Sequence, residues 1–318
     1  METIVFLDRA TIGPSVTINT PAIDHAWKTY DKTTAEQVVE RLQGATVAIT
    51  NKVPLRAETL SQLPELKLIV VAATGYDVID MDYCRANNIL VSNVRGYAKN
   101  TVPEHALALI FALRRSVVGY RQDVIAGEWE ASGQFCFFNH PITDIAGSTL
   151  GIIGKGALGQ SLGELGRALG MNVIYAGRKG EANPAPGTVA FDDFLRQSDV
   201  ISLHCPLNDQ TRYLLAMDEF KKMARKPILI NTGRGGLVNE EDTIEALNQG
   251  LLAGIGFDCI TTEPMPNSHP FCAIMDRPNV IITPHVAWAS EEAMQTLWDQ
   301  VVSHIENFAA GTPSNLLN

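Results

Sequence analysis

The chain is short of cysteine, short of positive charge and without a long apolar run. Its five cysteines, Cys84, Cys136, Cys205, Cys259 and Cys272, are odd in number, and none forms a C-x-x-C pair. A disulfide framework and a zinc site are therefore not expected, and reduced thiols are the default. The 25 Lys and Arg stand against 35 Asp and Glu, a net charge of −10. Nucleic-acid binders carry a basic footprint, so no such partner is expected. No apolar run reaches the ~18–20 residues that span a bilayer. The opening residues Met1–Asp8 offer neither a basic stretch nor an apolar core long enough for a secretory signal. No membrane association and a cytoplasmic location are the expectation.

A hydrophobic fraction of 46% with 19% charged residues suits a packed globular protein, and 318 residues leave room for two domains. Short β-branched runs alternate with helical patterns, which predicts α/β architecture with parallel sheets. Strands are expected at Thr3–Leu7, Thr46–Thr50, Leu68–Ala72 and Ile89–Asn93, with helices near Thr34–Gln43, Arg56–Gln62 and Met81–Asn87. These small units resemble a flavodoxin-like domain. A long helix is expected to start near Pro103, since proline suits the first helical position. Gly119–Ser148 shows no clean period, yet holds Trp129, Phe135, Phe137 and Phe138. Such an excursion either covers another subunit or folds back on its own domain. A second strand series follows at Thr149–Ile153, Asn172–Ala176, Val200–His204, Ile228–Asn231, Gly254–Phe257 and Val280–Thr283, before an amphipathic helix at about Glu291–Phe308.

The second series opens on a glycine loop, Gly154-Lys155-Gly156-Ala157-Leu158-Gly159. Gly154 permits a tight turn, Gly156 lets backbone approach a pyrophosphate, and Gly159 lets helix pack closely on strand. The following helix N-terminus offers unpaired N–H groups to phosphate. A G-x-G-x-x-G is weak by itself, but here an apolar strand precedes it and a helix and second strand follow, which is the dinucleotide-binding context. NAD enzymes usually place a carboxylate after that second strand. This chain has Gly177-Arg178-Lys179, so NADP is expected over NAD, with a plain solvated turn as the alternative.

Ligands of open α/β sheets sit beyond the carboxyl ends of the strands. Thr232 and Arg234 follow one strand, Asp258 and Glu263 the next, and His285 the last. Reduction of a keto acid needs a carboxylate anchor, a proton donor and a hydride source. Arginine, histidine and a dihydronicotinamide supply these, and a carboxylate beside the histidine favours its protonated form. His204 ends a strand before Cys205-Pro206, where packing against a cofactor is expected rather than catalysis. Asp77 and Asp80 read as helix caps.

Glycine loop, Asn231-Thr232-Gly233-Arg234-Gly235, Thr262-Glu263-Pro264 and Pro284-His285-Val286-Ala287-Trp288 occur in the order seen in D-isomer-specific 2-hydroxyacid dehydrogenases. The chain resembles that family along nearly its whole length, most closely its glycerate dehydrogenase (hydroxypyruvate reductase) branch. The resemblance implies a split substrate domain at 1–99 and 287–318, with a cofactor domain inserted at 100–286 and substrate in the cleft between. It implies Arg234 as the substrate-orienting arginine, Glu263 as the histidine's partner and His285 as the acid/base. Backbone around Thr74-Gly75-Tyr76 would hold the substrate carboxylate, Asp258 would meet the nicotinamide carboxamide, and Thr101 would lie where a helix meets the cofactor. It further implies a homodimer acting on hydroxypyruvate or glyoxylate and the matching D-glycerate or glycolate. Trp288, where many members have glycine, and Lys155 depart from the pattern. Formate dehydrogenases share the architecture but carry an amide in place of Glu263. Nucleotide-sensing corepressors of the same fold remain an alternative.

Overall fold

The computed structural model describes residues 1–181 and 183–318. They fall into two units, Met1–Ala98 with Ala289–Asn318, and Lys99–Trp288.

The first unit runs β1 (Glu2–Phe6), β2 (His25–Thr29), α1 (Val38–Leu42), β3 (Val47–Thr50), α2 (Ala57–Leu60), β4 (Leu68–Val71), α3 (Met81–Ala86) and β5 (Leu90–Asn93). The sheet is parallel with order β2-β1-β3-β4-β5, the flavodoxin-like order. Every residue of β3 and β4 is buried, because a parallel sheet is covered on both faces. Asp80 caps α3, accepting from the Tyr83 N–H at 3.0 Å. Strand β2 was not expected. His25-Ala26-Trp27-Lys28-Thr29 is an edge strand whose last two residues are exposed, so it lacks the apolar pattern that marks a strand. Pairing with β1 defines it instead.

The second unit contains α4 (Thr101–Arg114), α5 (Val117–Ile125), α6 (Glu128–Ser132), β6 (Thr149–Ile153), α7 (Ala157–Ala168), β7 (Asn172–Tyr175), α8 (Phe191–Gln197), β8 (Val200–Leu203), α9 (Met217–Phe220), β9 (Ile228–Asn231), α10 (Glu240–Asn248), β10 (Gly254–Phe257) and β11 (Val280–Ile282). Its sheet is parallel, ordered β11-β10-β9-β8-β6-β7. A bridge from Ala176 to Val189 adds a short line beyond β7. The chain therefore winds outward from β6 in both directions, and the crevice of a doubly wound sheet lies beyond the carboxyl ends of β6 and β8. One face packs Phe194, Leu203, Phe220 and Phe257; the other packs Ala106, Leu109, Leu150 and Leu162.

Two expectations change here. Helix α4 begins at Thr101, so Pro103 is its third residue. Its missing N–H still falls among the four N-terminal amides that lack an intrahelical acceptor, so the helix loses no bond. The excursion at 119–148 is more helical than its pattern showed, because Gly127 (φ 82°) and Gly133 (φ 59°) cut α5 and α6 too short to display a period. Tyr120 meets Phe137 edge-on at 5.7 Å and donates to the His140 carbonyl at 2.8 Å. That half folds back on its own unit, whereas Phe135 and Phe138 stay 93% and 81% exposed.

The last helix, α11 (Glu291–Ala309), belongs to the first unit and is capped by Ser290. Its Trp298 is fully buried and stacks on Phe6 with ring centroids 5.1 Å apart. No helix among the described residues is long and apolar enough to cross a membrane.

Candidate active site

The glycine loop after β6 is built around two glycines that no other residue replaces without strain. Gly154 has φ 106°, and a Cβ there would lie 2.6 Å from the His204 carbonyl. A Cβ on Gly159 would lie 2.0 Å from the Gly154 oxygen, so α7 packs directly on the loop. Gly156 precedes the first turn of α7, Ala157 and Leu158, and nothing stands within 4 Å of its Cβ position. Bare backbone and a helix N-terminus thus face open space, which fits a dinucleotide phosphate. Two further observations support that fit. The Nδ1 of His204 and the Oγ1 of Thr232, at the ends of adjacent strands β8 and β9, are buried with no hydrogen-bond partner among the described residues. His204 keeps its Nε2 2.9 Å from Ser202 Oγ. Burial pushes its pKa down to about 4, so the ring is neutral. Burial likewise pushes the neighbouring Cys205 thiol up to about 11, and it stays protonated before Pro206.

After β7, the Gly177 N–H donates to the Val189 carbonyl at 2.7 Å, which fixes the turn. Arg178 is exposed and makes no ion pair among the described residues. Lys179 departs from the expectation that it waits for a phosphate: its Nζ lies 2.9 Å from Oε1 of buried Glu219. A buried carboxylate is costly without a cation, and Lys179 meets that need. Lys155 leans instead over the Tyr175 ring, with Nζ 5.4 Å from the centroid. It lines a groove of ≈ 590 Å³ with Arg167 and Thr188.

The strand ends of β9, β10 and β11 carry the polar cluster. Asn231 shapes the first turn: its amide donates to the Arg234 carbonyl at 2.9 Å and its oxygen accepts from the Gly233 N–H at 3.1 Å. Arg234 is half-buried, with Nη1 donating to the Gly233 carbonyl at 2.8 Å. Glu263 accepts the Ile260 N–H on Oε1 at 3.0 Å and lies 2.6 Å from His285 Nδ1 through Oε2. The carboxylate is thereby oriented by backbone, and it orients the imidazole. With Nδ1 committed to Glu263, Nε2 is the ring nitrogen left to exchange a proton.

His285 has φ 56°, a left-handed backbone that non-glycine residues adopt only when their surroundings hold them there. Three groups do so. Buried Asp258 accepts from Thr283 Oγ1 at 2.6 Å, Val286 N at 2.9 Å and Ala287 N at 2.9 Å. Trp288 donates its indole N–H to the His285 carbonyl at 2.9 Å, and Thr101 donates to the Ala287 carbonyl at 3.1 Å. His105 extends the network, with Nε2 3.1 Å from Thr283 Oγ1. The sequence named Asp258, Thr101 and Trp288 but not this clamp, and it passed over Thr283 and Ser202. Being polar and adjacent to strand ends was the only signal they carried.

In the first unit, Thr74-Gly75-Tyr76 follows β4. Thr74 Oγ1 donates to the Val94 carbonyl at 3.0 Å, and Asn93 donates to the Thr74 carbonyl at 2.7 Å. These bonds fix the turn through its side chain and carbonyl. Among the described residues no acceptor meets the three backbone N–H groups.

Residues 107–287 match the model of the D-isomer specific 2-hydroxyacid dehydrogenase NAD binding domain. The chain belongs to the D-isomer specific 2-hydroxyacid dehydrogenase family. It is 51% identical over 316 residues to the glycerate dehydrogenase of Methylorubrum extorquens strain AM1, covering 99% of this chain and 98% of that one. It is 36% identical over 295 residues to a hydroxypyruvate reductase of Blautia hydrogenotrophica, covering 91% of each. The NAD-complexed D-isomer specific 2-hydroxyacid dehydrogenase of Lactobacillus delbrueckii ssp. bulgaricus superposes with a TM-score of 0.79 over the full length of both chains. At 24% identity that likeness speaks for the fold alone. Family membership makes the chain an oxidoreductase of 2-hydroxy acids that works with a nicotinamide dinucleotide.

Proposed function

We propose that this dehydrogenase reduces hydroxypyruvate to D-glycerate, and glyoxylate to glycolate, with NADPH preferred over NADH. The observation that carries the reading is the 2.6 Å contact between His285 and Glu263 on a backbone held at φ 56°. Bound dihydronicotinamide would supply the hydride. The chain's own residues do the rest: His285 gives a proton to the developing alkoxide, and the Glu263 charge stabilises the imidazolium before it does so. Arg234 orients the keto acid with its planar donors. The N–H groups of Thr74, Gly75 and Tyr76 are proposed to take the substrate carboxylate, so Met1–Ala98 with Ala289–Asn318 is read as the substrate domain. Lys99–Trp288 is then the cofactor domain, with Gly154, Gly156, Ala157, Leu158 and Gly159 at the pyrophosphate and Thr101, His204, Cys205, Pro206, Thr232 and Asp258 around the rest.

The cofactor preference rests on exposed Arg178 after β7, which makes no ion pair among the described residues, and on Lys155 of the adjoining loop. A homodimer in the cytoplasm completes the proposal. The 51% identity to a glycerate dehydrogenase supports the substrate, and the exposed Phe135 and Phe138 support a partner chain over the 119–148 segment. NAD(P)H consumption should be measured against a panel of 2-keto acids with both nucleotides. Hydroxypyruvate and glyoxylate should head the panel in kcat/KM. A protein that binds NADPH and consumes none with any of them would be a nucleotide sensor instead.

A further inference from the structure

Cys259 takes no part in the reduction, yet the fold sets it beside the two residues that do. It follows Asp258 at the end of β10 and is 2% exposed, with its thiol 3.5 Å from the Gly233 carbonyl. One ligand atom each from Cys259, Glu263 and His285 lies within 4.8 Å of the others. The three come from one strand end, the loop after it and the end of the next strand, all inside Lys99–Trp288. We infer that Cys259, Glu263 and His285 form an inhibitory binding site for Zn²⁺.

The donor set decides the metal. A thiolate, an imidazole and a carboxylate are the three ligand types that Zn²⁺ accepts in four-coordinate sites, whereas Mg²⁺ and Ca²⁺ require oxygen alone. Three protein ligands leave the fourth position to water. Ligand atoms ~2.0–2.3 Å from a tetrahedral ion stand about 3.5 Å apart, so the cluster must contract by roughly an ångström. The Glu263 and His285 side chains are 34% and 24% exposed and have room to turn, while the buried thiol is the fixed corner. The ion replaces the thiol proton and, if His285 binds through Nδ1, the proton shared with Glu263. Coordination through Nδ1 displaces Glu263 from the imidazole, and coordination through Nε2 occupies the nitrogen that delivers the proton. Either way the reduction stops. That inhibitory half rests on His285 being the proton donor; the binding half does not.

Two measurements separate them. Zn²⁺ binding is measured by equilibrium dialysis, and Co²⁺ is used to look for a sulfur-to-metal charge-transfer band, in full-length protein carrying Cys136→Ser and Cys272→Ser to remove the exposed thiols. Inhibition of keto-acid reduction by Zn²⁺, and its reversal by EDTA, are followed in the same protein. One equivalent should bind, with the thiolate band present and activity lost in proportion to occupancy. Cys259→Val and, as a second replacement of similar size, Cys259→Ser should retain turnover, lose the band and raise the Zn²⁺ Kd at least tenfold. Equal Zn²⁺ affinity with and without Cys259, or no band, would overturn the site. Stoichiometric binding through Cys259 without loss of turnover would overturn the inhibition while leaving the ion in place. A protein that binds Zn²⁺ through Cys259 but has no reductase activity at all would count against the proposed function rather than the site.

Discussion

Asp258→Asn should undo the loop that carries His285. The carboxylate accepts three bonds, from Thr283 Oγ1, Val286 N and Ala287 N, at 2.6, 2.9 and 2.9 Å. An amide has one oxygen. If it keeps Thr283 and Val286, its NH₂ meets the Ala287 N–H donor to donor; turned the other way, it meets the Val286 N–H donor to donor and can only donate to the Thr283 hydroxyl. At least one hydrogen bond to a charged group, ~1.5–3 kcal/mol, disappears and one buried N–H is left unsatisfied. The two costs partly describe the same lost contact, so a net ~2–4 kcal/mol is expected. In a domain of this size each kcal/mol moves the melting temperature by ~2–4 °C, so the nucleotide-free protein should melt about 5–15 °C lower. The left-handed backbone at His285 is held against a cost of ~1–3 kcal/mol. Once released, it should relax and lower kcat by roughly tenfold or more. Thermal unfolding without nucleotide, together with steady-state kinetics, reads both effects. If Asp258 served only to contact nicotinamide, the nucleotide-free protein would melt as wild type and only the KM for NAD(P)H would rise. That result would refute the clamp.

The turn after β7 and the buried histidine of β8 give two further tests. Arg178→Ala should remove roughly 1.5–3 kcal/mol of charged hydrogen bonding to a 2′-phosphate and raise KM for NADPH far more than for NADH. Lys179→Ala should instead lower thermal stability, by stranding buried Glu219, with little effect on cofactor choice. Equal effects of both variants on NADPH would mean that Lys179 leaves its partner to bind phosphate. His204 has a folded pKa of about 4 against its ordinary 6.5. The unfolded chain therefore takes up the proton first. This contribution is fully present above pH 6.5 and is lost as pH falls toward 4, by up to ~3 kcal/mol. Denaturant titrations of His204→Gln across that window should show a flatter acid limb than wild type; parallel curves would contradict the burial argument.

The two parallel sheets were legible because their central strands are continuous apolar runs, such as Leu68–Val71 and Ile228–Leu229-Ile230. Periodicity fails where a strand is half solvated: β2 carries His25, Lys28 and Thr29, and only its partner β1 makes it a strand. The candidate trio could be singled out because Arg234 and His285 each stand three residues past a strand and Glu263 lies on the loop after β10, while the roles proposed for them came from the family resemblance. What supports them was not. The backbone at His285 is set by hydrogen bonds that Asp258 accepts, and no local propensity of histidine announces φ 56°. Lys179 pairs with Glu219, 40 residues along the chain, and Cys259 approaches His285 only because β10 and β11 are neighbours. Each is a product of sheet order, which a linear reading sees last.

Proton delivery by His285, oriented by Glu263, is the step on which the proposed reduction turns. It is tested most directly by kcat for hydroxypyruvate reduction in His285→Ala at saturating NADPH, with NADPH affinity measured in parallel by fluorescence. Turnover should fall by ~10²–10⁴-fold, the usual contribution of a general acid, while NADPH affinity stays within about twofold, since the imidazole adds a proton-transfer step rather than a cofactor contact. Wild-type turnover in His285→Ala would contradict the account.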